Sequence, residues 1–465
     1  MKLKNVLTRR KTVFKPLEPG VVKMYTDGPT VDAHVHLGLA RRIVVNDLLK
    51  RTLIAKGYRV VHVMNITDLD DRTIAASAEV GEEIQPYTRR FEEAFFEDMA
   101  ALGCLPADHT PRTSDHIEPM LELTQKLIDA GYCYEMLRNV YFDVSKLRSY
   151  GCLSGVKTDK IRVGATVDLD DYEKDDPRDF VVFKRCDLSE MRRGIGVKSK
   201  WGNVRPGWHV QCAAMSTHYL GMRFDIHAST KDLAFPHHEN EIALISALTG
   251  QPPAHTWVHS GLVYAGGKKM TAFSGNVKTV RELIEAGYPG RLLRHWMLSV
   301  QYGQALHFSD EALEKSKIAL ARLDSFVRHL KHVRGAKRHP AVLSLAVKTE
   351  NEFFAAMFDN MNVSVALAAL HDFQRKINSL LADEPLARAD ARDILATLYR
   401  IDALLGIFEF ADDDIDREIE DLLQKRERAR ASGDYEAADA IRDELARRGF
   451  EIADTPAGPR IRPLV

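Results

Sequence analysis

Apolar residues recur along the chain with two periods, and the switches between them mark out the elements. From Gly20 to Asp27 the run GVVKMYTD has the texture of a short buried strand, and the Gly28-Pro29 pair turns it. Apolar positions then fall at helical spacing, at Ile43, Leu48, Leu49 and Leu53, which predicts a helix from about Gly38 to Lys56, stopped by Gly57. RVVHVMNIT, Arg59 to Thr67, returns to strand texture. Strand, helix, strand in this order predicts a right-handed parallel crossover, with ligands taken up beyond the carboxyl ends of the strands.

Two amphipathic helices are expected near Tyr87 to Gly103 and His116 to Gly131. From Asn139 to Lys184 the pattern breaks into short strands, polar loops and the acidic run DLDDYEKDDPRD, which reads as an insertion within a nucleotide-binding fold. The α/β pattern resumes at Gly207 and continues to about Ser299. Beyond Phe308, long periodic stretches at Glu311 to Arg334, Ala341 to Asp359, Ser364 to Leu381 and Leu386 to Leu405 predict an antiparallel helical bundle. The last stretch predicts two helices broken at Ser432-Gly433, with Asp434 as N-cap, and then a short extended tail.

Composition narrows the class. The 465 residues suffice for two to four compact units, and with 45% hydrophobic residues bulk disorder is excluded. The chain lacks an apolar run of about 18 residues, the length that spans a bilayer, and its start, MKLKNVLTRRKTVFKPLEP, lacks a signal-peptide core; a cytoplasmic protein without a membrane partner is expected. Five scattered cysteines (Cys104, Cys133, Cys152, Cys186, Cys212) fit reduced thiols, any special one being a ligand rather than a staple. With Lys+Arg 65 against Asp+Glu 66, any RNA contact must come from a local patch.

Three stretches carry candidate chemistry. In DLAFPHHENEIAL, a helix beginning at Phe235-Pro236 would put His237 and Glu241 four apart on one face, a metal-ligand spacing that a charged, solvated helix start also produces. GWHVQCAAM sets Cys212 among small apolar residues, where a cysteine is either core or ligand. GGKKMTAFSGN, Gly266 to Asn276, reads as a loop that could clamp phosphates or simply face water.

Taken in chain order, GPTV, HxG at a helix start, NITDLDD, RPGWHVQC, FPHHENE and GxKM resemble the class I aminoacyl-tRNA synthetases, and within them the cysteinyl-tRNA synthetase family. The resemblance runs nearly the whole length, through LGCLPADHTPRTSDHI to GDYEAADAIRDEL and ADTPAG. It implies a Rossmann-type α/β catalytic domain split by an insertion, an all-α helical bundle and a small C-terminal anticodon-binding unit. The expected segments are 1–118 and 201–306 for the catalytic halves, 119–200 for the insertion, 307–410 for the bundle and 411–465 for the tRNA-binding end. The implied reaction is activation of cysteine to its adenylate by ATP with Mg2+, then transfer to a tRNA, tRNA-Cys being expected, by a monomer. The family holds a zinc ion that binds the substrate thiolate. Carried over, the zinc ligands are Asp27, Cys212, His237 and Glu241; Thr30, His36, Gly38 and Lys269 serve ATP, with His36 and Lys269 catalytic. Thr67, Trp208, His209 and Asp232 match positions around the amino acid.

Several positions depart from the family pattern. Asp27 stands where the family has a cysteine, an exchange that preserves formal charge but hardens the donor set. The HIGH signature is His36-Leu37-Gly38-Leu39 and the KMSKS loop is Lys269-Met270-Thr271-Ala272-Phe273, each lacking one donor. A preorganised donor to developing charge contributes roughly 2.7–4 kcal/mol, about a hundred- to a thousand-fold in rate. Lys268, Arg41 and Arg42 are the nearby cations that could compensate. HGGG has become His227-Ala228-Ser229-Thr230, and Ile461 replaces an aromatic that would stack on an anticodon base. Three readings stay open: a cysteine-activating synthetase, a paralogue that activates another amino acid or uses a non-tRNA acceptor, and a non-catalytic binder of tRNA or adenylate.

Overall fold

The computed structural model describes residues 1–156, 176, 178–271, 275–383, 386–410, 413–432, 434–448, 450–455 and 458–463. Most of the acidic run, together with Ala272 and Phe273, lies outside the described residues, as does the side chain of Ile461. The chain divides into two compact units, 1–316 with 354–366 and 317–353 with 367–465.

The first unit is built on four strands, β1 (Val21–Thr26), β2 (Arg59–Met64), β3 (Phe224–Thr230) and β4 (Ala254–Ser260). They form a parallel sheet in the order β4-β3-β1-β2. From β1 the chain returns through α1 (Leu37–Ala55) to β2 on one side, and later enters β3 on the other. The connections therefore diverge between β1 and β3, which opens a crevice at their carboxyl ends. Register places Tyr25 beside His227 and Thr26 beside Ala228, so the residues following β1 and β3 emerge side by side.

Helix α1 is buried on nearly every side, and its polar residues have specific partners. Asp47 pairs with the buried Arg294, and Lys50 donates to the Pro106 carbonyl at 2.8 Å. His62 on β2 is likewise buried, its Nε2 2.9 Å from Thr26 Oγ1. Behind β3, α2 (Trp208–Leu220) and α3 (Glu239–Thr249) pack into a core with Val210, Met215, Leu244 and Ile245. A helix over Asp71–Glu79 was not among the expected elements, although its start is legible: Asp70 accepts from Thr73 N and Thr73 Oγ1 accepts from Asp70 N, both at 2.9 Å.

The insertion forms an antiparallel five-stranded sheet from Cys133–Met136, Asn139–Phe142, Phe180–Arg185, Val197–Ser199 and Gly202–Pro206. The loop after its second strand is tied to α3 through Glu239, which is buried and accepts from Gly151 N at 2.8 Å, Ser154 N at 2.9 Å and Ser154 Oγ at 2.8 Å. A small sheet pairs Val263–Ala265 with Lys268–Lys269 and Leu306–Phe308, and so positions the lysine loop.

The second unit is helical, as the periodicity predicts. Arg400 makes a two-point contact with Glu350 at 2.8 and 2.6 Å, and Gln374 donates to the Arg322 carbonyl at 2.9 Å. The helices Asp413–Ala431 and Tyr435–Arg447 break where expected, with Asp434 accepting from Ala437 N at 3.1 Å. The tail is a hairpin of Phe450–Thr455 with Gly458–Pro463 rather than a single extended segment. Among the described residues, no helix is long and apolar enough to cross a membrane.

Candidate active site

A cavity of about 440 Å³ opens at the carboxyl ends of β1 and β3. Its entrance depends on the turn after β1. A Cβ at Gly28 would lie 1.6 Å from the Asn65 carbonyl oxygen, so only glycine lets this turn press against the end of β2. Asn65 locks the contact: its Oδ1 accepts from Gly28 N at 3.0 Å and from Tyr25 Oη at 2.8 Å, and its Nδ2 donates to Thr67 Oγ1 at 3.1 Å. Thr30 and Thr67, bridged through Val31 N and the Thr67 carbonyl at 3.1 Å, both line the cavity.

At the floor, Asp27, Cys212, His237 and Glu241 bring one ligand atom each to within 4.8 Å of one another, all buried. Asp27 directly follows β1, Cys212 stands on the inner face of α2, and His237 and Glu241 flank the start of α3. Sequence spacing predicts a helix led in by Phe235-Pro236, whereas the chain kinks there: Phe235 is extended (φ −138°, ψ 134°), its bond to Pro236 is cis, and α3 begins at Glu239. Both donors nevertheless face the same centre, His237 Nε2 3.0 Å from Glu241 Oε1. Three donor atoms are the informative ones: Asp27 Oδ1, His237 Nε2 and Glu241 Oε1 are buried with no hydrogen-bond partner among the described residues. Buried polar atoms without partners are costly, and three of them converging beside a thiol fit a bound cation. One sulfur, one nitrogen and two oxygens suit a borderline divalent ion such as zinc.

The remaining atoms of these ligands are held by a second layer. His238 Nε2 lies 2.8 Å from Asp27 Oδ2, and His227 Nε2 lies 3.1 Å from Glu241 Oε2. Each carboxylate thus has one oxygen fixed by a histidine and the other turned to the centre. His209 Nδ1 sits 2.9 Å from His237 Nδ1. If His237 donates from Nδ1, its Nε2 keeps the lone pair that a metal needs. Trp208 stacks on the His237 ring at 3.9 Å, and Trp257 stacks beneath His227 at 4.1 Å.

Electrostatics separate the two carboxyls. Burial would raise both; against it, His227 and His238 hold Asp27 well below the usual carboxylate range, while burial dominates at Glu241 and pushes it up. Burial also pushes the Cys212 thiol up, followed by the nearby Glu241 and Asp27. A bound dication inverts that balance, because its charge favours every deprotonated donor. Burial keeps His209 neutral, with its pKa lowered to about 3.

The rim carries a different chemistry. His36 is the N-cap of α1, and its Nδ1 accepts from Gly38 N at 3.1 Å and Leu39 N at 3.3 Å. A Cβ at Gly38 would lie 2.9 Å from the His36 ring, so this glycine makes the cap possible. Burial, reinforced by Arg42 and Arg72, lowers the His36 pKa to about 4, and the ring stays a neutral acceptor. Lys269 reaches Asp232 at 2.5 Å across the cavity mouth. Arg72 makes a two-point contact with Asp32 on the same rim, both bonds 2.9 Å. A helix N-terminus ringed by cations is suited to phosphate groups.

Of the residues expected at the site, Asp27, Thr30, His36, Gly38, Thr67, Trp208, Cys212, Asp232, His237 and Lys269 line this one cavity. Glu241 lies in the cluster at its floor, and His209 stands behind His237 instead of facing the cavity. The cations near the altered motifs divide: Arg42 lines the cavity, Arg41 turns to the Leu262 and Gln304 carbonyls at 3.1 and 2.8 Å, and Lys268 is exposed. The sequence reading assigned no part to His238 or Asn65. For His238 the signal was its place beside His237 on a buried turn; for Asn65 no pattern announces a side chain that bridges two turns.

Comparison with known proteins gives consistent matches. The family model for the tRNA synthetases class I (C) catalytic domain covers residues 13–318, the DALR domain 352–409 and the cysteinyl-tRNA ligase anticodon binding domain 412–462. A cysteine–tRNA ligase of Geobacillus thermodenitrificans is 39% identical over 99% of this chain and 98% of its own, and one of Thioalkalivibrio sulfidiphilus is 40% identical over 98% of each. Among solved structures, methionyl-tRNA synthetase of Mycobacterium tuberculosis bound by methionyl-adenylate superposes with a TM-score of 0.61 at 15% identity, covering 83% of this chain and 90% of that one. A leucyl enzyme, LeuRS of Agrobacterium radiobacter K84 in a ternary complex, superposes at 0.63 with 10% identity, covering 85% of both chains. At such identities these structures speak for the fold alone.

Proposed function

Because the chain belongs to the cysteine–tRNA ligase family of class I synthetases, we propose that it activates cysteine with ATP and transfers the aminoacyl group to a tRNA. The observation that carries this reading is the convergence of three unpartnered buried donors and a thiol at the floor of the cavity, below a rim of His36, Lys269 and the α1 N-terminus. The two ends of the cavity correspond to the two ends of the reaction.

In the first step, a carboxylate oxygen of the amino acid attacks the α-phosphorus of ATP. A C–O–P bond forms, a P–O bond breaks and pyrophosphate leaves. Lys269 and the positive end of the α1 dipole would bear the phosphate charge, the first-turn N–H groups being taken by His36 and the Lys278 carbonyl, while His36, neutral and committed through Nδ1 to the cap, offers only Nε2. Asp232, which burial would raise but which Lys269 holds below the usual carboxylate range, is an ionised partner for the substrate ammonium. A zinc ion held by Asp27, Cys212, His237 and Glu241 would supply a Lewis-acid contact for the substrate thiol. Trp208 and His209 would keep the His237 ring oriented. In the second step the tRNA terminal hydroxyl takes the acyl group and AMP leaves.

Asp27 favours a second reading, activation of a different small amino acid, since a harder donor set has less preference for a thiolate. ATP–pyrophosphate exchange with cysteine, serine and 2,3-diaminopropionate, on protein of measured metal content, separates the readings. Exchange with cysteine and one bound zinc is expected; exchange only with another amino acid would make Asp27 a specificity switch. Absence of exchange with all three would overturn the ligase reading.

A further inference from the structure

Arg42 has no role in the account above, yet it occupies the deep part of the cavity. It stands on α1 six residues beyond His36, so at 1.5 Å per residue it lies about 9 Å further along the helix, away from the phosphate-binding end. The side chain is only 9% exposed and lines the cavity next to Asp27 and Gly28. Its Nη2 donates to the Gly28 carbonyl at 2.7 Å, and its Nε is buried with no partner among the described residues. The nearest carboxylates are committed elsewhere: Asp27 turns Oδ2 to His238, and Asp232 turns Oδ2 to Lys269.

Two other buried arginines give the contrast. Arg294 has the Asp47 carboxylate as partner, and Arg41 is turned away from the cavity onto two carbonyls. A guanidinium does not shed its proton, so Arg42 is a buried cation served by one neutral acceptor. Asp27 and Asp232 place negative charge near it without accepting from it, and the open side of the guanidinium faces the substrate cavity. The anion is not an ATP phosphate in this geometry, because the helix N-terminus, His36 and Lys269 lie at the other end.

We infer that Arg42 is a substrate-binding residue that receives an anionic group of the amino acid being activated. The inference rests on the ligase reading and refines its amino-acid site. The group is the side-chain thiolate, a negative charge that accepts N–H donors; the α-carboxylate has to reach the α-phosphorus at the His36 and Lys269 end.

The test is isothermal calorimetry on metal-loaded protein with cysteine and ATP titrated separately, comparing wild type with Arg42→Gln and Arg42→Lys. Loss of a charge-assisted hydrogen bond should weaken cysteine binding by about ten- to a hundredfold in Arg42→Gln. Arg42→Lys should fall between, and ATP affinity should stay within about twofold by the same reasoning. With alanine, which lacks the thiol, the penalty of the Gln variant should disappear, and with L-cysteinol, which lacks the carboxylate, it should persist; the reverse pattern overturns the inference. A variant that weakens ATP instead, or that binds cysteine as wild type does, overturns the inference. Wild-type protein that binds no amino acid would overturn the ligase reading itself, a result distinct from either. Melting temperatures of both variants guard against a folding defect, and the Lys variant keeps the test open if the Gln variant does not fold.

Discussion

Replacing His209 should loosen the proposed metal centre without touching any of its four candidate ligands. Its Nδ1 lies 2.9 Å from His237 Nδ1, and with its pKa lowered to about 3 by burial the ring is neutral at any working pH, its Nδ1 accepting when His237 donates from Nδ1. His209→Phe retains the ring against Phe180 but removes the acceptor, so the His237 proton loses the partner that fixes its tautomer. Partners of this kind contribute about 10- to 100-fold in metal affinity, or about 1.4–2.7 kcal/mol. His209→Asn, whose amide oxygen falls near the position of Nδ1, should recover most of that. Competition between the protein and a chromophoric chelator for zinc measures the constant directly, and urea unfolding with and without metal measures the linked stability. Phe and Asn variants that both bind zinc within twofold of wild type would refute the tautomer argument. Equal weakening in both would show that the ring's shape, not its acceptor, orients His237.

Leu39→His restores a donor at the first turn of α1, and pyrophosphate exchange should rise toward the hundred- to thousand-fold that one such donor contributes, about 2.7–4 kcal/mol; an unchanged rate means the site no longer relies on that position. Glu239→Ala leaves the amides of Gly151 and Ser154 without their acceptor and should cost about 3 kcal/mol in urea unfolding, with Glu239→Gln milder; a change below about 1 kcal/mol would refute this account of the insertion's anchor. His62, lowered by burial to about 3, binds its proton more readily in the unfolded chain, so its contribution is complete above about pH 6.5 and is lost as pH falls through the window from about 6.5 to 3. Wild-type stability should therefore decline across that window by about 1.4 kcal/mol per pH unit more than that of His62→Gln, a difference that denaturation at pH 5 and pH 7.5 detects.

Much of this architecture was legible as pattern. The strand, helix, strand opening, the long helices of the second unit and the Asp434 cap all follow from periodicity and local hydrogen bonding, which depend on neighbours in sequence. The candidate metal donors were legible only in part. His237 and Glu241 have a spacing that a solvated helix start also gives, and Asp27, after β1, and Cys212, on α2, are marked as donors in the sequence only by the resemblance. What stayed hidden depends on packing. Whether Arg41 or Arg42 faces the cavity is decided by how α1 is rotated against β1, and a helix buried on nearly every side has no apolar stripe from which to read that rotation. The kink at the extended Phe235 was equally invisible, since the same residues would satisfy a regular helix start.

The position of Asp27 also bears on the birth of the protein. Its partner donors, Cys212, His237 and Glu241, come from the far side of the insertion, so the first donor emerges from the ribosome well before the others exist. At about 5–20 residues per second, that interval is on the order of ten to forty seconds. A thiolate waiting so long in an unfinished pocket is open to oxidation and to stray soft metals. A carboxylate undergoes neither reaction with comparable ease, so in this chain the half-made centre can wait for its completion in a chemically inert form.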